Sequence, residues 1–376
     1  FLAAPDFVVG PDADPKERNI LGVINKVGLD IGKKVIEVRK KNRDIIRHIF
    51  SKAPHPEGGL PGGVPRGITE DDRKWIKETA AMSLEFARFA VQLFKDVVLK
   101  NKAYVDLILN DAYKLDTYFM SLVDKDNKVD FYDGMVRVVD RNGKEYVKFD
   151  PRNYDEYIGE WVEPWTYIRL THLKQLGWNG LKDGEGTSLY RVAPMARLNA
   201  SEAMQTPLAQ KEAEILFDTL GGKPAQHTLA NHWARLICAL QAAENNVAIA
   251  DHPLLTSKDI RNMNLKLKKK GVGCVEAPRG TLYHHYETDD QGMITKANLI
   301  VATQNNAAPI CLAVKKAAQA FIKGPDVKEG FLNMVEMAFR AYDPCLSCAT
   351  HSLPGTMPMT VHIRNNEGAL IREIKR

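Results

Sequence analysis

The residues best suited to chemistry lie near the end of the chain, in the segment 343–351, which reads DPCLSCATH. Cys345 and Cys348 stand three positions apart, and the imidazole of His351 follows three positions later. Thiolate sulfur and imidazole nitrogen are ligands for borderline-soft transition metals, and a C-x-x-C turn can direct both sulfurs at one point. The segment therefore predicts a metal site to which this motif supplies two sulfurs.

The motif by itself leaves three interpretations open: half of a structural zinc site, a redox dithiol, or half of a larger metal site. A structural zinc site needs four ligands, and the sequence holds no second C-x-x-C. A redox dithiol usually opens a helix after a strand, whereas this motif follows a predicted helix over 330–341. The other three cysteines, Cys238, Cys274 and Cys311, are predicted to be buried structural thiols.

Composition narrows the class of protein. The 376 residues are 44% hydrophobic and 26% charged, which is typical of a soluble globular chain. The net charge of +5 is small and spread out, so no nucleic-acid partner is expected, and the basic run 266–270 is interpreted as a solvated helix end. No apolar run approaches the ~20 residues of a membrane span. Few cysteines and no secretory leader favour a reducing, cytoplasmic location.

The elements that must position the motif are mainly helical. Apolar spacing predicts helices over 16–50, from 70 after a Thr69 cap, over 207–220 after a Thr206 cap, and over 228–245, 308–322 and 325–341. One buried stripe is predicted on the long second helix, formed by Trp75, Thr79, Met82, Phe86, Phe89, Leu93 and Val97. Hairpins are predicted in 131–149, 281–303 and 359–375, and the glycine-rich loop 54–65 is predicted to be ordered. The fold class is therefore mainly α with small β-hairpins, an α+β chain.

With these elements in place, the segment 343–351 resembles the D-P-C-x-x-C-x-x-H motif of nickel–iron hydrogenase large subunits. Four further segments resemble motifs of that family, in the family's order. They are the loop 55–64 (H-P-x-x-x-x-P-G-G), the stretch 193–199 (G-P-x-A-R-x-N), the segment 276–284 (E-x-P-R-G-x-L-x-H) and the segment 301–306 (V-P-[ST]-T-x-N). The resemblance implies the family's helical bundle and a nickel–iron centre whose iron binds CO and two cyanides.

The resemblance also implies a role for each matching residue. Cys345 would be a terminal nickel ligand and Cys348 would bridge nickel and iron. His351 would bind a nearby Mg²⁺ with the main-chain carbonyl of Leu299. The remaining predicted site residues are Arg279 over the open face of the metals, its carboxylate partner Asp343, and Thr303 and Ala302 beside a cyanide. Ala302 replaces a residue that is often proline in the family.

The function that the resemblance implies is heterolytic oxidation of H2 to protons and electrons. Electrons would pass to an iron–sulfur small subunit, because iron–sulfur clusters are expected only in partner subunits, and on through an electron-transfer subunit to heterodisulfide reductase in methanogenesis. The sequence most resembles the F420-non-reducing branch, with the F420-reducing branch as an alternative. A second alternative is an immature or non-catalytic assembly form without the metals, and a third is an unrelated zinc protein.

The sequence departs from the family at both ends. It holds no R-x-C-G-x-C motif, which supplies the family's other two thiolates, so residues 1–351 are expected to form a large-subunit domain without its N-terminal part. Residues 352–376 continue past the point where a maturation endopeptidase cuts in the family, and are expected to be a removable extension. The sequence thus favours the hypothesis that this chain is an incomplete, unprocessed subunit.

Overall fold

The structure is a computed structural model that describes residues 5–14, 16–53, 56–266, 268–345 and 360–375. Within these ranges the helices are α1 (Ile20–Val27), α2 (Leu29–Phe50), α3 (Glu70–Phe94), α4 (Lys102–Leu109), α5 (Tyr154–Tyr157), α6 (Pro194–Ala200), α7 (Pro207–Leu220), α8 (Asn231–Asp251), α9 (Ala302–Asn305), α10 (Ala307–Phe321) and α11 (Glu329–Arg340). Among the described residues, no helix combines the length and the apolar character that a membrane crossing requires.

The strands are β1 (Tyr118–Val123), β2 (Met135–Val139), β3 (Glu145–Phe149), β4 (Ile158–Trp161), β5 (Leu170–Leu173), β6 (Tyr190–Arg191), β7 (Lys270–Ala277), β8 (Gly280–Thr288), β9 (Ile294–Ile300), β10 (Thr360–Arg364) and β11 (Leu370–Lys375). They form a sheet of order β3-β2-β1-β6, a sheet of order β7-β8-β9, and the pairs β4-β5 and β10-β11. The predicted mixture of helices and β-hairpins is confirmed.

The first predicted helix is wrong at one point, because the chain breaks between α1 and α2 at Gly28. This glycine has a φ of 97°, a conformation that side-chain-bearing residues rarely adopt. The predicted start of α3 is confirmed. The Thr69 hydroxyl accepts a hydrogen bond from the Asp72 amide while the Asp72 carboxylate accepts one from the Thr69 amide, which is a capping box.

The predicted buried stripe of α3 is also wrong, by about one position around the helix. Of the predicted residues only Thr79 is buried, and the buried face is formed by Ile76, Thr79, Ala80, Ser83, Ala87 and Val91. Small side chains on this face let α8 approach closely, with Leu240 and Ala243 packed against Ala87 and Val91. The larger apolar residues therefore lie half-buried at the flanks of the contact.

Helix α7 begins where the sequence predicted, but its cap comes from another helix. The Thr206 side chain does not cap the helix and donates instead to Glu244 Oε2 of α8, at 2.5 Å. The Glu244 carboxylate also accepts hydrogen bonds from the amides of Leu208 and Ala209, each at 3.1 Å. Because an anion at a helix N-terminus satisfies free amides and faces the positive end of the dipole, Glu244 fastens α7 to α8.

Two sheets differ from the predicted hairpins. The strand β1 was not predicted; it pairs antiparallel with β2 and parallel with β6, and its side chains are almost all buried, so its sequence lacks the polar alternation of a half-exposed strand. The run 266–270 is not a helix end, because Lys270 begins β7, which pairs with β8 from Lys270↔Glu287 to Ala277↔Gly280. The tight end of this β7–β8 hairpin includes Arg279.

The largest apolar cluster lies between the helices and includes Trp233 of α8, Leu312 of α10 and Met337 of α11. A second cluster lies under the sheets, where Tyr283 of β8 packs with residues of β1 and β2. The β7–β8–β9 sheet therefore rests on the first sheet, and the hairpin end is held at the boundary between the sheets and the helical layer.

We expect the substitution Glu244→Ala to lower the free energy of unfolding by about 2 to 3 kcal/mol, since it removes a charged acceptor from three donors at the start of α7. Urea unfolding followed by tryptophan fluorescence measures the change. The matched control is Glu78→Ala, at an exposed position of α3, which should change stability by less than about 0.5 kcal/mol. Equal effects of the two substitutions would contradict the capping role.

We expect acid to destabilise the fold partly through His227, which is 6% exposed. Burial, together with the charges of Lys114 and Arg191, lowers the pKa of His227 to about 4, below its ordinary value of 6.5. The folded state thus binds fewer protons than the unfolded state between these values, so stability is full above pH 6.5 and falls towards pH 4. Unfolding midpoints measured across this range should fall less in His227→Asn, and an unchanged slope would contradict the assignment.

Candidate metal centre

Arg279 is held at the hairpin end by close packing of the main chain. Gly280, the next residue, has a φ of 127°, and a Cβ there would lie 2.1 Å from the Val192 carbonyl oxygen. Only glycine allows this approach between the hairpin and the start of α6. The position of the Arg279 backbone is therefore fixed against the segment that joins β6 to α6.

A buried ion pair fixes the other side of the hairpin end. Arg197 of α6 donates from Nε to Glu276 Oε2 at 2.6 Å, and the two side chains are 3% and 0% exposed. It also donates to the Ala277 carbonyl. The second oxygen of Glu276 accepts from the Thr281 hydroxyl at 2.5 Å and from the Leu122 amide at 3.0 Å. Burial lowers the pKa of Arg197, but the charge of Glu276 raises it, and the net shift is upward.

Two asparagines join α9 to the same hairpin. Asn306 donates to the Arg279 carbonyl at 2.9 Å and to the Ala302 carbonyl at 3.2 Å, and it accepts from the Val192 amide at 3.0 Å. Asn305 donates to the Thr281 carbonyl at 2.8 Å. The main chain of Ala302, at the start of α9, is thus tied to that of Arg279, although no role was predicted for either asparagine.

The Arg279 side chain contacts Asp343 and has donor capacity left over. Its Nε donates to the Asp343 main-chain carbonyl, and its Nη2 lies 3.5 Å from Asp343 Oδ2. Within the described part of the chain, Nη1 has no hydrogen-bond partner, and the side chain is 31% exposed. The structure therefore brings two predicted site residues together and leaves one face of the guanidinium able to donate to a ligand.

The other predicted residues are less completely placed. Ala302 is buried and Thr303 half-buried at the start of α9, and the Thr303 hydroxyl has no partner among the described residues. Leu299 lies in β9 opposite His284. Cys345 is half-buried two residues after Asp343, with its sulfur in a disulfide, so metal binding requires the reduced thiolate. Cys348 and His351 lie outside the described residues.

A second arginine, which was not predicted from the sequence, also faces Asp343. Arg235 of α8 donates from Nη2 to the Ala341 carbonyl at 2.8 Å, and its Nε lies 4.0 Å from Asp343 Oδ2. Burial, only partly offset by Asp343, lowers the pKa of Arg235 to about 10. A lone arginine inside an apolar helix was the available signal, but spacing alone did not connect it with a residue 108 positions away.

The charge balance around Asp343 bears on whether a nickel–iron centre fits. Three guanidinium groups (Arg197, Arg235 and Arg279) interact with two carboxylates (Glu276 and Asp343), which leaves one positive charge in excess. A centre with thiolate and cyanide ligands is rich in negative charge and fits beside such an excess. In the described ranges no three His, Cys, Asp or Glu side chains converge to hold a metal, and Cys345 is the thiol beside this cluster. The chain therefore fits one side of the centre.

Comparison with known proteins agrees with this geometry. Residues 190–351 match the family described as nickel-dependent hydrogenase. The iron-sulfur subunit of an F420-non-reducing hydrogenase from Archaeoglobus profundus is 46% identical over all of this chain and 77% of its own length. The beta chain of the NAD-reducing hydrogenase HoxS from Cupriavidus necator is 36% identical over 99% of this chain and 76% of its own length.

Solved structures share the fold. The crystal structure of an NAD+-reducing nickel–iron hydrogenase in the H2-reduced state superposes with a TM-score of 0.84 at 35% identity, covering 93% of this chain and 74% of that one. A nickel–iron–selenium hydrogenase from Desulfovibrio vulgaris Hildenborough, at 21% identity and a TM-score of 0.64, supports the fold alone.

The chain belongs to the nickel-dependent hydrogenases and has the fold of their large subunit. Within that class it is most similar in type to the large subunits of F420-non-reducing hydrogenases, which also include a relative from Methanothermobacter thermautotrophicus that is 37% identical over the whole chain. The resemblance seen in the five sequence motifs is thereby confirmed.

We expect Glu276→Gln to lower the free energy of unfolding by about 3 kcal/mol, because it leaves Arg197 buried without an opposite charge and turns an amide donor towards other donors. Urea unfolding measures the change. Asp106→Asn, which breaks an exposed ion pair with Lys102, is the control and should cost less than about 1 kcal/mol. A loss no larger than that of the control would show that the buried pair does not anchor the hairpin.

Proposed function

We propose that this subunit catalyses heterolytic oxidation of H2 to protons and electrons at a nickel–iron centre with CO and cyanide ligands. The observation that supports the proposal is the Arg279–Asp343 contact, which lies two residues before Cys345 and leaves one guanidinium nitrogen free among the described residues. The matching family and the similarity to hydrogenase subunits support it from sequence.

The proposed ligands follow the family motif. Cys345 and Cys348 would hold the metals as thiolates, Ala302 and Thr303 would face a cyanide, and His351 with the Leu299 carbonyl would bind Mg²⁺. When bound, the centre would supply soft, redox-active metals at which H2 can be polarised. Thr303 suits its place because its hydroxyl is free to donate in the described structure.

In the proposed mechanism the protein supplies a fixed electrostatic field. Arg279 stays protonated at all working pH values, and its fork can donate to Asp343 with one edge and towards the metal ligands with the other. Because Glu276 and Asn306 hold the hairpin end rigidly, this field needs no reorganisation as charge separates during the reaction. Protons would leave through carboxylates and water.

The partners are proposed from the relatives, whose names describe subunits of larger hydrogenases. We propose an iron–sulfur small subunit that holds the clusters, and an electron-transfer subunit that passes electrons to heterodisulfide reductase in methanogenesis. The similarity to F420-non-reducing enzymes favours that branch over F420 reduction. We also propose a cytoplasmic location and endopeptidase cleavage that separates 1–351 from the extension 352–376.

A first experiment tests the proposed activity in the assembled complex with its partner subunits. We expect infrared bands of iron-bound CO and cyanide, one nickel per large subunit, and H2-dependent reduction of methyl viologen without reduction of F420. Absence of the bands and of nickel would contradict the proposal and favour the non-catalytic assembly form. Reduction of F420 would instead assign the chain to the other branch.

We expect Arg279→Lys to lower the rate of H2 oxidation at least about 100-fold with little change in nickel content or stability, since a lysine cannot donate to Asp343 and a ligand in a planar fork. The matched control is Arg88→Lys, at an exposed position of α3, which should retain the full rate. Methyl viologen reduction per nickel measures both. A rate within threefold of the unaltered enzyme would contradict the role of Arg279.

A further inference from the structure

Arg235 is anchored to its own helix before it reaches the candidate centre. Its Nη1 donates to the Asn231 carbonyl at 3.4 Å and lies 3.3 Å from His232 Nδ1, both in the first turn of α8. The guanidinium is thus tied to α8 at one side and directed towards the end of α11 at the other. It acts as a short rigid connection between these two helices.

At the end of α11, two arginines from separate elements hold one segment of main chain, residues 341–343. Arg235 of α8 donates to the Ala341 carbonyl at 2.8 Å, and Arg279 of the β7–β8 hairpin donates to the Asp343 carbonyl. The Asp343 carboxylate lies between them, with Oδ2 at 4.0 Å from Arg235 Nε and 3.5 Å from Arg279 Nη2. Each guanidinium therefore limits movement of the segment in a different direction.

The segment needs such support, because Asp343 has a φ of 51°. A residue with a side chain adopts this left-handed conformation at a cost of about 1 to 2 kcal/mol, and keeps it only when its surroundings determine it. The Asp343 amide donates to the Arg340 carbonyl at 2.9 Å, which ends the helix but does not fix the chain beyond it. Without Arg235, Arg279 alone would hold the segment from one side.

The position of Arg235 also leaves an unmet interaction. Its Nε is buried and has no hydrogen-bond partner within the described ranges, and the Asp343 carboxylate is the anion that faces it. A small shift of the carboxylate towards either arginine strengthens one contact and weakens the other. The direction in which Arg279 points is therefore coupled to Arg235 through Asp343.

We propose that Arg235 is a positioning residue of the candidate centre, which sets the orientation of Arg279 and the approach of Cys345 by holding the segment 341–345 against α8. The proposal rests on the proposed function and adds a residue outside the five motifs. Arg235 acts through Asp343 and the main chain, and does not itself contact the reacting atoms.

The test compares Arg235→Gln, Arg235→Lys and Arg73→Gln in the assembled complex. Arg73 is a matched control, because it also donates to two main-chain carbonyls at the end of a helix, Ala250 at 3.1 Å and Asp251 at 2.7 Å, but at the opposite end of α8. H2-dependent methyl viologen reduction per nickel, the KM for viologen and the infrared cyanide bands are measured for each variant, with circular dichroism as the check on folding.

We expect Arg235→Gln to lower kcat about 10- to 100-fold with an unchanged KM for viologen and shifted cyanide bands, because a displacement of about 1 Å at the site can cost this much. Arg235→Lys should recover part of the rate, since lysine keeps the charge and can reach one of the two contacts. Arg73→Gln should leave rate and bands unchanged. Folded Arg235 variants that fail to retain nickel would also support the proposal, since the segment includes Cys345.

Two results would overturn the proposal. One is a rate and cyanide bands in Arg235→Gln equal to those of Arg73→Gln, and the other is loss of fold in both Arg235 variants, which would indicate a structural role. Neither is confused with failure of the proposed function, which would show itself as missing bands and missing H2 oxidation in the unaltered complex.

Discussion

The buried ion pair between Arg197 and Glu276 is the interaction on which the candidate centre depends. Removing two charges from water costs several kcal/mol per ion, and a buried pair compensates only when every remaining donor and acceptor is satisfied. Here the Thr281 hydroxyl, the Leu122 amide and the Ala277 carbonyl complete the set. The pair joins the helical layer to both sheets, so the hairpin end cannot move independently of either.

From this pair the geometry extends to parts of the chain that are far apart in sequence. Asn306 connects the hairpin to α9, Arg279 connects it to the end of α11, and Arg235 connects that end to α8. Each connection ends on a main-chain carbonyl, which any residue can supply. The side chains that make the connections are therefore constrained more strongly than the residues that receive them.

This difference explains what could be predicted from the sequence. The capping box of α3, the hairpins and the contact of Arg279 with Asp343 could be predicted because local chemistry or motif residues specify them. The buried strand β1 and the buried face of α3 could not, because burial on both sides or between close helices removes the alternation on which patterns depend. Glu244 and Arg235 act across tertiary contacts, and no spacing along the chain indicates their partners.

The strands β10 and β11 have a different relation to the rest of the molecule. They pair with each other as a two-stranded ribbon, and their side chains are largely exposed. None of the described apolar clusters includes a residue of this ribbon. A protease that cut before it would therefore expose no core and break no described sheet other than the ribbon itself, so the ribbon can be lost at almost no thermodynamic cost to the domain. Its stability and that of the hydrogenase fold are separate quantities.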